Sequence, residues 1–301
     1  MQYIIVDMEF NNLRDIEECY PNFYTEYGKI LDKAEECPNE IIEIGAVKLD
    51  GQLRTLETLK LYIKPTIFPI INPKVKEITG IGEEDLKEGI PFLEAIDKLR
   101  SFIGEDSILC SWAKDDVVEL IRNANYYKYG SIEWISSYLD IQEYCTKVLA
   151  LNNSISLRRA LDRFRVKVDE NKLHDALNDS VYTAEVFRRC FNSRAVKNYI
   201  VEDINQMPAV VLRIDENFKL EEGKTEFRCP RCKREVNFEY PLRVLKWRFV
   251  GVGYCERCKS NIMQEIVIKK NLVGEEIYKN TNKILNDEEY RNITGRLEKI
   301  S

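Results

Sequence analysis

Two short cysteine pairs, Cys229-Pro-Arg-Cys232 and Cys255-Glu-Arg-Cys258, stand 22 residues apart and restrict the folds open to this chain more than any other feature. Each C-x2-C turn brings two sulfurs within reach of one tetrahedral ion, so both turns must converge with the intervening chain folded back on itself. Val236, Phe238, Leu242 and Val244 all fall on even positions, the alternation of strands, and suit a β-hairpin. Four uncommitted thiols would need two such pairs by coincidence. A closed four-cysteine site leaves no position open for water, which makes one Zn²⁺ at Cys229, Cys232, Cys255 and Cys258 structural rather than catalytic.

The spacing resembles that of a zinc ribbon, and the unit is expected to span residues 219–267. Eleven basic and six acidic side chains lie between Lys219 and Ser260, so this stretch is locally positive. The run Arg243, Lys246, Trp247, Arg248 and Phe249 mixes bases with aromatics, a combination that grips a nucleic-acid backbone and stacks bases. An alternative stays open, in which the aromatics are the small unit's core and the bases its solvated face. Cys19, Cys37, Cys110, Cys145 and Cys190 read as ordinary core or surface thiols.

At 301 residues the chain has room for one large core and an appendage. Tyr3 to Phe10, Ile41 to Leu49 and Leu56 to Lys64 read as strands, the last two joined through Asp50-Gly51. Helical spacing follows over 91–103, a buried strand over 107–112, and helix again from Asp115 to Ala124. A strand near 132–139 precedes helices over 141–149, 156–164 and 176–190. Strands that first meander and then alternate with helices predict an α/β or α+β domain over residues 1–192, a mixed sheet flanked by helices, with α/β the favoured class. The polar span 11–39 reads as an insertion, a solvated excursion with one helix. Residues 193–218 read as a linker, and 268–301 as a helical tail whose helix starts near Gly274.

No stretch approaches the roughly 18–20 uncharged apolar residues of a membrane helix. The N-terminal MQYIIVDMEF lacks basic residues ahead of its short apolar run and does not read as a signal peptide, so a cytoplasmic protein is expected. The odd total of nine cysteines points the same way, to thiols and metal ligands rather than a disulfide framework. The net charge of -6 argues against a nucleic-acid partner only on average, because acids that bind cations are counted as negative.

In Val-Asp-Met-Glu-Phe, Asp7 and Glu9 sit two apart at a strand end, so both emerge on one face. Two acids aimed at one spot repel unless cations lie between them, and Mg²⁺ or Mn²⁺ prefers such oxygen ligands. Taken alone the pair is weak, since D-x-E recurs by chance as exposed strand-end acids. Asp115 and Asp116 open a helix, where acids are also common caps; Asp116 is the favoured ligand, with the register open by one position. His174, the only histidine, precedes Asp179 by five residues. Five helical steps turn a side chain by about 140°, so His174 is expected on the loop before the helix, Asp175 at its N-cap and Asp179 toward the site.

The order D-x-E, then Asp116, then His-x4-Asp resembles the DnaQ-like DEDDh 3′→5′ exonuclease superfamily, in its RNA-processing and KapD-like flavour. NEIIEIGAVKLD looks like that family's second strand, INPKVKEITGI like the turn before its Gly-Ile, and HDALNDS like its last motif. The resemblance implies a ribonuclease H-like fold, two Mg²⁺ or Mn²⁺ held by Asp7, Glu9, Asp116 and Asp179, and His174 as general base. It further implies a single-stranded RNA or DNA 3′ end as partner, RNA favoured, and 5′-mononucleotides as products. The insertion after Phe10 is longer than the family leads one to expect, and Asp115 stands where an aromatic or apolar residue is common. Two other readings stay open: a non-catalytic adaptor for nucleic acid or protein, and a DNA proofreading or repair exonuclease.

Overall fold

The structure is a computed structural model and describes residues 1–204, 207, 210–211, 218–221, 223–245, 248–271 and 275–300. The chain divides into two compact units, Met1–Ile204 and Asn205–Ser301.

The first unit is built on a six-stranded sheet of β1 (Gln2–Asn11), β2 (Glu40–Leu49), β3 (Thr55–Tyr62), β4 (Ser107–Ser111), β5 (Ser137–Asp140) and β6 (Ile200–Val201). The order is β3-β2-β1-β4-β5-β6. β1, β2 and β3 form an antiparallel meander, β4 and β5 continue parallel to β1, and β6 returns antiparallel. The sheet is therefore mixed, as the order of strands and helices predicts.

Three short helices, α1 (Ile16–Cys19), α2 (Phe23–Tyr27) and α3 (Ile30–Glu36), separate β1 from β2. After β3 come α4 (Pro73–Thr79), α5 (Glu83–Lys87) and α6 (Phe92–Ile103), then α7 (Asp115–Tyr126) behind β4. α8 (Ile141–Val148), α9 (Leu157–Arg163) and α10 (Ala176–Cys190) follow β5. Tyr3, Ile5, Val47, Leu49, Ile108 and Cys110 of the sheet join Tyr144, Leu161, Ala184 and Phe187 in one buried cluster. Strand alternation puts Asp7 and Glu9 on the same side of β1 as Tyr3 and Ile5. The face of β1 toward α10 thus changes from apolar to acidic along the strand.

Several boundaries differ from the sequence reading. The span 11–39 is not one helix in solvent: Ile16, Phe23, Ile30 and Cys37 bury themselves against Ile67 and Phe68 as a small core. Ile16 anchors α1, Phe23 α2 and Ile30 α3, and Cys37 follows the end of α3. The strand expected near 132–139 is confined to Ser137–Asp140. The first unit runs past residue 192 because β6 pairs with β5 and takes its neighbours out of the supposed linker.

In the second unit, β8 (Phe238–Leu245), β9 (Arg248–Cys255), β10 (Ser260–Lys270) and β11 (Glu276–Ile284) lie in the antiparallel order β11-β10-β9-β8, with β7 (Val210–Val211) pairing β10. The helical tail is a correction: 276–284 is an edge strand paired along β10, and the helix α11 (Asp287–Leu297) comes after it, followed by a 3-10 turn at Glu298–Ile300. Glu276–Ile284 carries Ile277, Tyr278, Thr281 and Ile284 among polar residues, a composition for a half-exposed strand that shows little period of either kind. The helix starts at Asn286, whose side chain and that of Glu289 cap each other's backbone N–H groups. Leu297 of α11 packs on Val250, Val252 and Leu285.

Candidate active site and metal centres

Asp7 stands opposite Gly45 and Glu9 opposite Glu43 on the β1–β2 ladder, and the register shifts immediately after Glu9. Met8, between the two acids, is buried, and its backbone N–H donates to Asp116 Oδ1 at 3.2 Å. That bond ties the first turn of α7 to the acidic end of β1. Asp116 is buried and Asp115 exposed, so of the two neighbouring acids it is Asp116 that faces the strand.

The remaining two groups come from the start of α10. Asp175 is its N-cap, the side chain accepting from the Asn178 N–H at 2.9 Å. His174 stands just before it at φ +62°, a left-handed conformation uncommon for a residue with a Cβ. That kink turns the chain back on the helix, and the His174 N–H donates to Asp179 Oδ2 at 3.1 Å. A ring nitrogen of His174 and carboxylate oxygens of Glu9 and Asp179 all lie within 4.8 Å of one another. The histidine is exposed and the two carboxylates half-buried, so the imidazole sits on the solvent side of the acids.

Burial and mutual repulsion dominate the electrostatics. Asp7 is pushed well above the usual carboxylate range by burial, then by Asp116, Glu9, Asp179 and Glu43. Burial, followed by Glu43, Asp179 and Asp116, raises Glu9 to about 9. Asp116 is raised to about 7 by burial, against the pull of the Met8 N–H. Burial also raises Asp179, opposed by the N–H and the ring of His174. Asp179 Oδ1 is buried with no hydrogen-bond partner. Converging acids and an orphaned carboxylate oxygen are what hard divalent cations satisfy, and the oxygen-only donor set of the four carboxylates fits Mg²⁺ or Mn²⁺.

The sequence reading missed the residues that hold this arrangement. Gly45 lies where α10 rests on β2, and a Cβ there would meet the Ala176 carbonyl carbon and the Leu177 nitrogen at 2.1 Å. Ser180 fastens the contact by donating its hydroxyl to the Gly45 carbonyl at 3.0 Å. A glycine inside an apolar strand was the available signal. Glu43, in the otherwise apolar Ile-Ile-Glu-Ile-Gly, is buried and paired with Lys60 at 2.9 Å. Burial opposes the charge on Lys60, yet its bonds to Asp175 and Glu43 hold the ammonium above its usual range.

In the second unit the four cysteines of the two knuckles come together. Cys229 and Cys258 sulfurs are 3.8 Å apart, those of Cys232 and Cys255 3.6 Å. A tetrahedron with metal–sulfur bonds of about 2.3 Å has edges of about 3.8 Å, so the site has the size for zinc. Burial would raise the Cys229 thiol, but the N–H groups of Cys232 and Arg231 bring it down to about 7, favouring the thiolate. Around the sulfurs pack Phe227, Val236 and Ile262. Of the candidate nucleic-acid contacts, Arg243 is half-exposed on β8, and Arg248 pairs with Glu265 at 3.2 Å. Lys246 and Trp247 lie outside the described residues. Phe249 is buried with Ile266 and Ile268, so this aromatic belongs to the core. Of the remaining cysteines, Cys19 is exposed and Cys37, Cys110, Cys145 and Cys190 are buried.

A family profile described as Exonuclease matches residues 4–187, more than half of the chain. The chain belongs to this exonuclease family of phosphodiester hydrolases, and its first unit has the ribonuclease H-like fold. DNA polymerase III subunit epsilon of Rickettsia prowazekii (strain Madrid E) is 28% identical over 154 residues, 50% of this chain and 65% of that protein. The probable 3′-5′ exonuclease KapD of Bacillus subtilis (strain 168) is 32% identical over 89 residues, 29% of this chain and 42% of that one. Both alignments span less than two thirds of the relative's own length. In fold, the chain resembles the nuclease domain of 3′hExo, a DEDDh family member solved with rAMP bound. The TM-score is 0.51 at 18% identity, over 62% of this chain and 90% of that domain. Among the described residues no helix is long and apolar enough to cross a membrane.

Proposed function

We propose that this chain is a 3′→5′ exonuclease that releases 5′-mononucleotides from single-stranded nucleic acid, preferring RNA to DNA. The observation that carries the reading is the gathering of His174 with Glu9 and Asp179, beside Asp7 and Asp116, at one end of β1. Asp7, Glu9, Asp116 and Asp179 would hold two divalent ions. When bound, these supply an activated water and charge stabilisation at the leaving 3′ oxygen. His174, on the solvent side of the acids, accepts the proton of the attacking water at a ring nitrogen, a role suited to an imidazole near neutral pH. Asp179 fixes the backbone of that histidine through its N–H. The bond from the Met8 N–H holds Asp116 against β1.

RNA is favoured because the 3′hExo nuclease domain, similar in fold, was solved with rAMP. The likeness to DNA polymerase III subunit epsilon supports the second reading, the same chemistry on DNA. In the second unit a structural Zn²⁺ would cross-link Cys229, Cys232, Cys255 and Cys258. The local excess of basic residues there, Arg243 among them, supports a role in holding substrate.

The reading is tested with 5′-labelled single-stranded RNA and DNA of one sequence in Mg²⁺. A ladder of products shortened stepwise from the 3′ end, faster for RNA, is expected. Faster shortening of DNA would transfer the reading to its second form, and internal cuts or loss from the 5′ end would contradict both.

A further inference from the structure

One strong cation beside the acids has no part in that chemistry. Lys60, on β3, lies 2.9 Å from Glu43 Oε1 and is also paired with Asp175 Oδ2. Its ammonium stands over the Tyr62 ring, 5.0 Å from the centroid, which further fixes its place. Glu43 is 1% exposed and faces Glu9 across the ladder, while its second oxygen accepts from the Ala176 N–H at 3.4 Å. Asp175 follows His174 directly and caps α10. One ammonium therefore joins β3, β2 and the turn that carries the histidine.

We propose that Lys60 is a positioning residue: it clamps the His174–Asp175 turn onto the sheet and keeps the buried Glu43 paired. The proposal rests on the exonuclease reading for its effect on rate, but not for its effect on His174. A left-handed backbone at a residue with a Cβ is strained and persists only where its surroundings over-determine it. The bond to Asp179 and the Asp175 cap fix the turn to α10, yet both move with the helix. Lys60 and Glu43 tie the turn to the strands that carry the other acids. Without Lys60, Glu43 would also remain as a buried carboxylate beside Glu9, short of its cation.

Because His174 is the only histidine, its imidazole gives a single set of NMR signals that reports on this turn whether or not the chain cleaves anything. The comparison is between wild type, Lys60→Met, Lys60→Arg and Asp175→Asn, the last retaining a capping oxygen while dropping the charge. In Lys60→Met and Asp175→Asn the His174 signals are expected to broaden or shift. Their kcat is expected to fall roughly 10- to 100-fold, as displacement by about an ångström does. KM for the strand and Mn²⁺ uptake stay near wild type, and Lys60→Arg recovers most of the rate. Native His174 signals with wild-type kcat in Lys60→Met would overturn the proposal. So would a raised KM at unchanged kcat, which would make Lys60 a contact for nucleic acid. If Lys60→Met does not fold, Asp175→Asn decides by the same readouts. A wild type inactive on every strand counts against the exonuclease reading, and the NMR comparison still decides the role of Lys60.

Discussion

Gly45 shows how one missing side chain sets the geometry of the site. Helix α10 brings Asp179 to the acids of β1 only because its first turn lies directly on the β2 backbone, closer than any Cβ would permit. Gly45→Ala should therefore force α10 outward. Overpacking of this kind costs about 3 kcal/mol or more, a fall in Tm of roughly 6–12 °C for a domain of this size. Metal-dependent turnover should fall with it, since Asp179 moves with the helix; thermal unfolding and a nuclease assay on the same preparation check both. A Tm within about 1 °C of wild type would show that the sheet accommodates the methyl group.

At the scale of elements, the candidate site is made where the ends of β1, α7 and α10 meet, and each brings acids raised by burial and repulsion. A carboxyl whose folded pKa exceeds its unfolded value keeps a proton that unfolding releases, so its contribution to stability declines as the pH rises. For Glu9, near 9 in the fold, and Asp116, near 7, the decline begins at the unfolded value near 4 and ends near those two values. In chelator, then, Tm should fall from about pH 5 to pH 9, less so in Glu9→Gln, and Mg²⁺ or Mn²⁺ should flatten the slope. A slope that is the same with and without metal would mean the acids do not share a cation site.

Much of this is legible in the sequence. The alternation of Val6, Met8 and Phe10 with Asp7 and Glu9 dictates a common face for the acids. The five-residue gap from His174 to Asp179 requires the histidine to leave the helix, which it does at φ +62°. Other features were hidden because they depend on long-range contacts. Nothing local in Lys60 announces a partner at Asp175, and the anchors of α1 to α3 acquire a core only from Ile67 and Phe68, far along the chain. The polar residues of β11 carry little periodicity, and its identity as a strand comes from pairing with β10.

For the whole molecule, the two units differ in what holds them. The first has a large apolar core, whereas the knuckle end of the second has Phe227, Val236 and Ile262 around the sulfurs. Metal affinity at such a site is folding energy. Cys232→Ser should lower zinc content well below stoichiometric and remove the second unit's thermal transition, as metal analysis and calorimetry would show. An unchanged calorimetric trace at low zinc content would mean that the strands and α11 suffice.

We propose that labour is divided in this site, the carboxylates holding the ions and His174 moving the proton. Mn²⁺ binding and single-strand turnover, measured together for wild type, Asp7→Asn and His174→Ala, decide it. Asp7→Asn should lose both, while His174→Ala should bind Mn²⁺ nearly as wild type and lose turnover by about 10²- to 10⁴-fold. Metal-dependent turnover retained in Asp7→Asn, or Mn²⁺ binding lost as completely in His174→Ala as in Asp7→Asn, would contradict it.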